Sequence, residues 1–255
     1  MNREKNIESV INDLMAERGE KEQMPAGLYG RQRLLRALMN VRPPMPIGPR
    51  TLKAQDEELQ AQLSEKGVVT LEDIPGGAIR LWQGDITRLK VDAIVNAANS
   101  QMLGCFIPLH SCIDNVIHSA AGIQLRLECE RIMQGGELET GGAVITGGYN
   151  LPAKHVIHTV GPIIPSGVPT AEQEEQLASC YRNCLDKAAQ TGCKSIAFCC
   201  ISTGVFNFPQ ELAAEIAVRT VREWLSSHEG TSGMTVIFNV FKDEDHEIYR
   251  RLLGE

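Results

Sequence analysis

Residues 91–99 read Val-Asp-Ala-Ile-Val-Asn-Ala-Ala-Asn, a short apolar strand that runs into a polar loop. After about residue 70, short β-rich runs of this kind alternate with helical stretches, which is the pattern of an α/β sheet covered on both faces. The predicted strands are residues 78–82, 93–96, 143–146, 155–160, 195–201 and 234–241. The predicted helices between them are residues 113–121, 125–133, 171–189 and 211–227.

The region before residue 70 has a different pattern. Apolar side chains recur there at helical spacing over residues 7–14, 34–39 and 52–63, and prolines interrupt the chain at 43–49. We therefore predict a helical N-terminal extension over residues 1–70 and an α/β domain over residues 71–255. The extension is interpreted as a packing element, with a cap or partner-docking role as the alternative.

Composition narrows the functional class. The 255-residue chain has a net charge of −7, which argues against general nucleic-acid binding because such binding needs a positive surface. No apolar run reaches the roughly 20 residues that span a bilayer, and the charged start of the chain lacks the apolar core of a secretory signal. We expect a cytoplasmic protein without a membrane partner. In that reducing compartment its eight cysteines are expected to bind metal, act in catalysis or lie buried.

One loop carries three side chains that commonly bind metals. Cys105, His110 and Cys112 fall within eight residues, and no CxxC pair stands nearby to complete a closed four-ligand site. Zinc bound for structure usually has four protein ligands, whereas zinc bound for chemistry has three and one open position. The cluster therefore predicts a Zn²⁺ site with an open position. The alternative is that the cysteines are small buried hydrophobic residues.

Two loops are expected at the ligand-binding edge of the sheet, because ligands of open α/β sheets bind beyond the carboxyl ends of the strands. One loop follows residue 96 and leads into the cysteine and histidine cluster, and the other covers residues 202–209. Small residues ahead of a helix can present backbone N–H groups to phosphate. An ordinary strand-to-helix turn is the alternative for this second loop.

Several short motifs together resemble the macrodomain family. They are Gly-Asp-Ile-Thr at 84–87, the stretch at 91–99, Ile-His-Ser-Ala-Ala-Gly at 117–122, Gly-Gly-Ala at 141–143, His-Thr-Val-Gly-Pro at 158–162 and Ile-Ser-Thr-Gly-Val-Phe at 201–206. The resemblance implies a three-layer α/β/α fold with a mixed central sheet that binds ADP-ribose. It also implies that Asp85 binds the adenine amino group, that Ile86 adds backbone contacts and that Asn99 contacts the distal ribose. The implied diphosphate loop is Ser202, Thr203, Gly204, Val205 and Phe206.

The chain departs from the common macrodomain pattern between residues 105 and 112. Common macrodomain hydrolases have a run of glycines followed by Val-Asp-Gly in that stretch, whereas this chain has the cysteine and histidine cluster. Together with the helical extension, this resembles the zinc-dependent macrodomains, which occur beside a macrodomain-linked class of sirtuin ADP-ribosyltransferase. The resemblance implies that Cys105, His110 and Cys112 bind catalytic zinc. Asp114 falls where the family's loop aspartate would be.

The chemistry of the leaving group suggests a substrate. A carboxylate with a pKa of about 4 leaves without being protonated, whereas a serine alkoxide or an arginine guanidine needs a nearby acid. Because Asp114 is the only obvious carboxyl of the loop, we hypothesise hydrolysis of the ester between ADP-ribose and an acidic side chain of a modified protein. A non-catalytic ADP-ribose reader with structural zinc is one alternative. An enzyme that removes acyl or phosphate groups from free ADP-ribose derivatives is another.

The roles of single residues stay open at this point. Asp114 is expected either to orient water or to cap the following helix. Asn99 is expected to bind ribose or to close an Asx turn. Histidines at 118, 155 and 158 are interpreted as structural, with His158 as a conceivable fourth zinc ligand.

Overall fold

A mixed six-stranded sheet forms the centre of the fold in the computed structural model, which describes residues 3–20, 23–228 and 233–254. The strands are β1 Ile79–Gln83, β2 Ala93–Ala97, β3 Ala143–Gly147, β4 His155–Thr159, β5 Ser195–Phe198 and β6 Thr235–Val240. Their order is β1-β6-β5-β2-β4-β3, and every neighbouring pair is parallel except the edge pair β3 and β4.

Helices cover both faces of this sheet. They are α4 Ile113–Ala121, α5 Ile123–Met133, α6 Ala171–Gln190, α7 Gln210–Ser227 and α8 Asp243–Leu253. Helices α4 and α5 contact each other and the sheet, while α6, α7 and α8 form a second contiguous group. In the central strand β2, Ala93, Ile94 and Val95 are fully buried, as expected for a strand covered on both faces. The predicted three-layer α/β/α fold with a mixed sheet is confirmed.

Two elements differ from the prediction. The strand predicted over residues 195–201 ends at Phe198, because the chain then turns and Ser202 adopts a left-handed conformation with φ of 65°. Helix α8 was not predicted. Its sequence is dominated by charge, with acidic residues in the first turn and Arg250 and Arg251 in the last, an arrangement that suits the helix dipole. Ile248 and Tyr249 are buried, and Leu252 and Leu253 pack partly buried against the main core.

The N-terminal extension consists of three helices, α1 Arg3–Arg18, α2 Gly27–Val41 and α3 Pro49–Lys66. Helix α1 packs against both α2 and α3, and the three helices share a hydrophobic cluster separate from the main core. That cluster also includes Ile123 of α5, and α2 contacts α4 directly. The extension is therefore packed on the layer formed by α4 and α5.

Because β1, β6, β5, β2 and β4 are parallel, their carboxyl ends meet at one edge of the sheet. The loops that leave this edge include residues 84–88, 98–112, 160–170 and 199–209. The edge therefore brings together the segments for which the sequence predicted ligand binding. Among the described residues, no helix is long and apolar enough to cross a bilayer.

Candidate functional site

The three candidate metal ligands converge in the loop between β2 and α4. The ligand atoms of Cys105, His110 and Cys112 all lie within 4.8 Å of one another, and the Cys105 Sγ to His110 Nδ1 distance is 3.4 Å. All three side chains are partly exposed. The loop therefore presents two thiols and an imidazole around a common point.

This donor set suits zinc. Thiolate and imidazole ligands are those that Zn²⁺ commonly takes, and the geometry of structural sites calls for four of them. Within the described part of the chain, no further His, Cys, Asp or Glu joins the group of Cys105, His110 and Cys112. A metal held there would keep a coordination position for a non-protein ligand.

Asp114 lies in the first turn of α4, and its carboxylate is directed into the protein. Its Oδ1 accepts a hydrogen bond from Asn96 Nδ2 at 2.8 Å and lies 3.5 Å from His118 Nε2. Asn99 Nδ2 is 3.5 Å from Oδ2. Burial raises the pKa of Asp114 to about 6, although the Asn96 hydrogen bond and the charge of Arg126 oppose that shift.

The helix-cap interpretation of Asp114 is wrong. The N-cap of α4 is Cys112, whose Sγ accepts from the backbone N–H of Asn115 at 3.5 Å. Asp114 instead lies inside the helix with its side chain 8% exposed. It is therefore a buried carboxylate that joins α4 to the end of β2.

Asn99 has one end of its side-chain amide hydrogen-bonded and the other unpaired. Its Nδ2 donates to Gly104 O at 3.0 Å, which is a longer-range contact than an Asx turn would make. Its Oδ1 is buried and has no hydrogen-bond partner among the described residues. Because an unpaired buried acceptor is costly, a ligand hydroxyl that donated to Oδ1 would satisfy it.

Asn115 is a site residue that the sequence analysis did not assign. It is fully buried, and its Nδ2 donates to Cys105 O at 3.3 Å and to Ile107 O at 3.0 Å. The side chain thus holds the first half of the loop 105–112, which carries the candidate metal ligands and is called the ligand loop below. The sequence feature that could have identified it is an asparagine three residues after Cys112, at the start of a predicted helix.

At the far end of the site, the Asp85 carboxylate is already engaged. Its Oδ1 accepts from the Thr87 backbone N at 3.0 Å and from Thr87 Oγ1 at 2.6 Å, and its Oδ2 lies 3.1 Å from Lys66 Nζ. Burial alone would raise the pKa of Asp85, but the contacts with Thr87 and Lys66 outweigh it and hold that pKa below its ordinary value. Ile86 is buried beneath this turn.

Phe241 was predicted as the last residue of a strand over residues 234–241 and was not considered as a ligand contact. It directly follows β6 and is 76% exposed. Strand β6 pairs with β1, the strand that leads to Asp85, and Gln83 Nε2 donates to Phe241 O at 3.3 Å. Phe241 is thus an exposed aromatic residue at the carboxyl end of a strand, the edge where ligands of such sheets bind.

The loop Ser202–Phe206 closely approaches the loop that follows β4. A Cβ placed on Gly161 would lie 2.0 Å from Ser202 Oγ, so glycine is required for this contact. Ser202 Oγ is buried without a hydrogen-bond partner in the described structure, while Val205 is 75% exposed. The Ile164 N–H donates to Phe206 O at 2.8 Å and ties the two loops together.

The buried histidines form a separate cluster. His158 on β4 is directly opposite Asn96 on β2, and Asn96 Nδ2 lies 3.2 Å from His158 Nδ1. Because that amide nitrogen is a donor, Nδ1 is the acceptor and Nε2 carries the proton, 3.0 Å from Thr146 Oγ1. The ligand atoms of His118, Cys129 and His158 lie within 4.8 Å of one another. His158 therefore belongs to this buried group and not to the loop with Cys105.

The other cysteines lie in or beside the core, with Cys129 next to the buried histidines and Cys200 partly buried. Cys129, Cys180, Cys184, Cys193 and Cys199 are buried, and all eight cysteines of the chain are free thiols. Cys180 Sγ lies 3.4 Å from Val160 O within the core.

Comparison with known proteins assigns the family. The family model described as "Macro domain" matches residues 95–217. A protein-ADP-ribose hydrolase of Treponema medium is 52% identical over 229 residues, which cover 87% of each chain. The chain belongs to the macrodomain family. A protein-ADP-ribose hydrolase of Staphylococcus aureus (strain MRSA252) is 49% identical over 251 residues, covering 96% of this macrodomain and 93% of that protein.

Solved structures agree with this assignment. The Trypanosoma brucei macrodomain in complex with ADP-ribose is 33% identical and has a TM-score of 0.66, covering 82% of this chain and 92% of that one. The resemblance to macrodomains inferred from the short motifs is thus confirmed. The similarity to the staphylococcal protein extends through nearly the whole chain, so it includes helices of the N-terminal extension.

Proposed function

We propose that this macrodomain is a zinc-dependent hydrolase that removes mono-ADP-ribose from acidic side chains of modified proteins. It is an enzyme of the protein-ADP-ribose hydrolase class, as the identity of about 50% to hydrolases over most of the chain supports. The observation that carries the finer proposal is the convergence of Cys105, His110 and Cys112 in the loop that also carries Asn99 and leads to Asp114.

The ADP-ribose is expected to lie along the carboxyl edge of the sheet. Asp85 would accept a hydrogen bond from the adenine amino group through Oδ2, and Phe241 would stack on the base. The loop Ser202–Phe206 would hold the diphosphate through its backbone N–H groups. Asn99 would then accept a hydrogen bond from the distal ribose through Oδ1, the buried acceptor that has no other partner in the described structure.

Cys105, His110 and Cys112 would hold the zinc ion. When bound, it would supply a Lewis acid able to lower the pKa of a coordinated water from about 15.7 to about 7. The chain's own contribution is to keep the three donors close together on one short loop. Asn115 does this from beneath by holding Cys105 O and Ile107 O.

Asp114 is the proposed orienting base. Asn96 and Asn99 fix the two oxygens of its carboxylate from the side of the sheet. A carboxylate held in this way can accept a hydrogen bond from water and take its proton as the water oxygen bonds to the ester's electrophilic carbon and the leaving group departs with the electron pair of the broken C–O bond. A glutamate or aspartate leaving group needs no acid of its own, so a site with one such carboxylate suffices for ester cleavage.

The linkage preference is tested with three substrates, a glutamate- or aspartate-linked, a serine-linked and an arginine-linked ADP-ribosylated protein. The expected result is release from the acidic linkage only. Efficient release from serine with none from the acidic linkage would overturn the preference. Release of acyl or phosphate groups from free ADP-ribose derivatives, with none from protein, would favour a small-metabolite enzyme.

The modified protein is the substrate partner, and ADP-ribose is the ligand. A functional link to a sirtuin-type ADP-ribosyltransferase is part of the same proposal and rests on the resemblance to zinc-dependent macrodomains. Such a transferase would supply the substrate that this enzyme consumes.

A further inference from the structure

We propose that helix α2 of the N-terminal extension is part of the metal site, with Asn40 and Arg36 as positioning residues for His110. This inference rests on the proposed zinc site. It departs from the interpretation of the extension as a packing element. The contacts that carry it are made to the backbone on both sides of the His110 side chain.

Asn40 and Arg36 each hold one backbone group beside the imidazole. The backbone N–H of Leu109 donates to Asn40 Oδ1 at 2.9 Å. Arg36 Nη2 donates to His110 O at 2.8 Å. Asn40 is only 1% exposed, so its amide is held in one place. Together the two side chains set the direction in which the His110 side chain projects from the loop.

The hydrogen bond that Asn40 accepts comes from a residue in an unfavourable backbone conformation. Leu109 has a φ of 57°, in the left-handed region where a side chain with a Cβ is disfavoured. Such conformations persist where surrounding contacts impose them, and they occur commonly at functional sites. Here the strained residue directly precedes a candidate metal ligand. Without the Asn40 acceptor, the Pro108–Leu109 peptide loses this hydrogen bond, and Leu109 is expected to relax out of the left-handed region.

The same two side chains reach the other candidate ligands through α4. Arg36 Nη2 also donates to Asn115 Oδ1 at 2.9 Å, and Asn40 Nδ2 donates to Ser119 Oγ at 2.9 Å. Ser119 Oγ in turn donates to Asn115 O at 2.6 Å. Since Asn115 holds Cys105 O, the extension is connected to both ends of the ligand loop.

Arg126 of α5 fixes the end of α2 to the start of the same loop. Its Nη1 donates to Met39 O at 2.9 Å and also to Arg42 O, while its Nε donates to Leu103 O at 2.6 Å. Its guanidinium lies 4.5 Å from the Phe106 ring centroid. Helix α2 is thus anchored independently of Asn40. Single substitutions at 36 or 40 therefore test the positioning of His110 and leave the helix attached to the domain.

The test measures zinc affinity by chelator competition and the absorption spectrum of the Co²⁺-loaded protein, with ADP-ribose affinity measured beside them. We expect Asn40→Ala to weaken zinc affinity by about tenfold or more, the range typical of residues that orient metal ligands. We expect its cobalt–thiolate absorption to change and its ADP-ribose affinity to stay within about twofold. Arg31→Ala on the same helix is the matched control, because Arg31 pairs with Glu4 and Glu8 of α1.

Two rescue variants separate positioning from general packing. Asn40→Asp keeps an acceptor for the Leu109 N–H and should restore most of the zinc affinity. Leu109→Gly, placed in the Asn40→Ala background, removes the left-handed strain and should restore part of it. Should Asn40→Ala fail to fold, Arg36→Gln carries the same test with Asn40 in place.

The outcomes distinguish this inference from the proposed function. Wild-type zinc affinity and cobalt spectrum in both Asn40→Ala and Arg36→Gln would overturn the positioning role alone. A wild-type protein that binds zinc no better than the Cys105→Ala, His110→Ala, Cys112→Ala variant would overturn the metal site and this inference together.

Discussion

Asn96 Nδ2 lies 2.8 Å from Asp114 Oδ1, and this hydrogen bond fastens the first turn of α4 to the carboxyl end of β2. The same amide nitrogen is 3.2 Å from His158 Nδ1 on the neighbouring strand. The position of the proposed base is therefore set by the central strands of the sheet. The loop with the candidate metal ligands, by contrast, is held by α2 and α4.

Asp114→Asn tests the role of this carboxylate. The amide keeps the shape of the side chain but cannot take a proton, so we expect hydrolysis to fall by about 100-fold or more. ADP-ribose affinity should change by less than about threefold, because the proposed contacts to the ligand come from other residues. Single-turnover hydrolysis and calorimetric titration measure the two quantities.

The matched control for that substitution is Asp92→Asn at the opposite end of β2. Asp92 accepts from the backbone N of Lys194 and Ser195 and pairs with Lys154, so its replacement should affect stability and not turnover. Equal losses of hydrolysis in the two variants would contradict a catalytic role for Asp114.

Phe241→Ala tests the proposed adenine contact. The exposed ring has little packing to lose, and stacking of a base on an aromatic side chain contributes about 1–3 kcal/mol. We therefore expect ADP-ribose affinity to fall by about tenfold or more while thermal stability stays close to that of wild type. Phe241→Tyr should retain the affinity, and an unchanged affinity in Phe241→Ala would place the base elsewhere.

Gly161→Ala tests the close approach of the two loops at the proposed diphosphate site. The new Cβ would lie 2.0 Å from Ser202 Oγ and 2.8 Å from Ile201 Cγ2, so the loops must separate. ADP-ribose affinity is expected to fall by about tenfold, as binding depends on backbone N–H groups of the displaced loop. Gly77→Ala, where an added Cβ meets nothing within 4 Å, is the control. An affinity like that of wild type would show that the loop tolerates the shift.

The buried histidines predict a loss of stability in acid. Burial lowers the pKa of His158 to about 3, so the folded chain keeps it neutral while the unfolded chain protonates it below about pH 6.5. The stabilisation is therefore complete above pH 6.5 and is lost as pH falls towards 3. His158→Gln should reduce the fall in unfolding free energy between pH 7 and pH 5 by roughly 2 kcal/mol, as measured by denaturant unfolding at each pH.

Other titratable groups near His158 also affect how the unfolding free energy depends on pH. Burial also holds the pKa of His118 well below its ordinary value, which adds to the acid sensitivity. The raised pKa of Asp114 acts in the opposite sense, because the fold then binds a proton more readily than the unfolded chain. Cys129 and Arg126 complete the charged or titratable surroundings and do not change charge between pH 5 and 7. An unchanged pH dependence in His158→Gln would contradict the assignment of a neutral imidazole.

Much of the fold was predictable because its elements have strong local patterns. The apolar run Ala93–Val95 indicated a strand, and the helix predicted over residues 113–121 has those bounds in the structure. Helix α8 was missed because charged residues dominate its sequence and its few apolar side chains, Ile248 and Tyr249 among them, pack only once the sheet exists. Strand order was likewise beyond local patterns, since it depends on which segments meet in space.

The candidate site divides in the same way. Cys105, His110 and Cys112 were found because they are near one another in sequence, and their convergence follows from one short loop. The contacts of Asn40 and Arg36 with that loop join residues 69 and 74 positions apart, so no spacing rule could predict them. The same holds for the hydrogen bond between Asn96 and Asp114, which requires β2 and α4 to be in place.

The most direct test of the account is ADP-ribose release from a glutamate- or aspartate-ADP-ribosylated protein by zinc-loaded enzyme. The Cys105→Ala, His110→Ala, Cys112→Ala variant is measured beside it, with ADP-ribose binding as the control for folding. The account predicts release by the wild type and none by the variant. Equal release by both would contradict metal dependence, and a wild type that binds ADP-ribose without releasing it from protein would contradict hydrolysis and identify a reader.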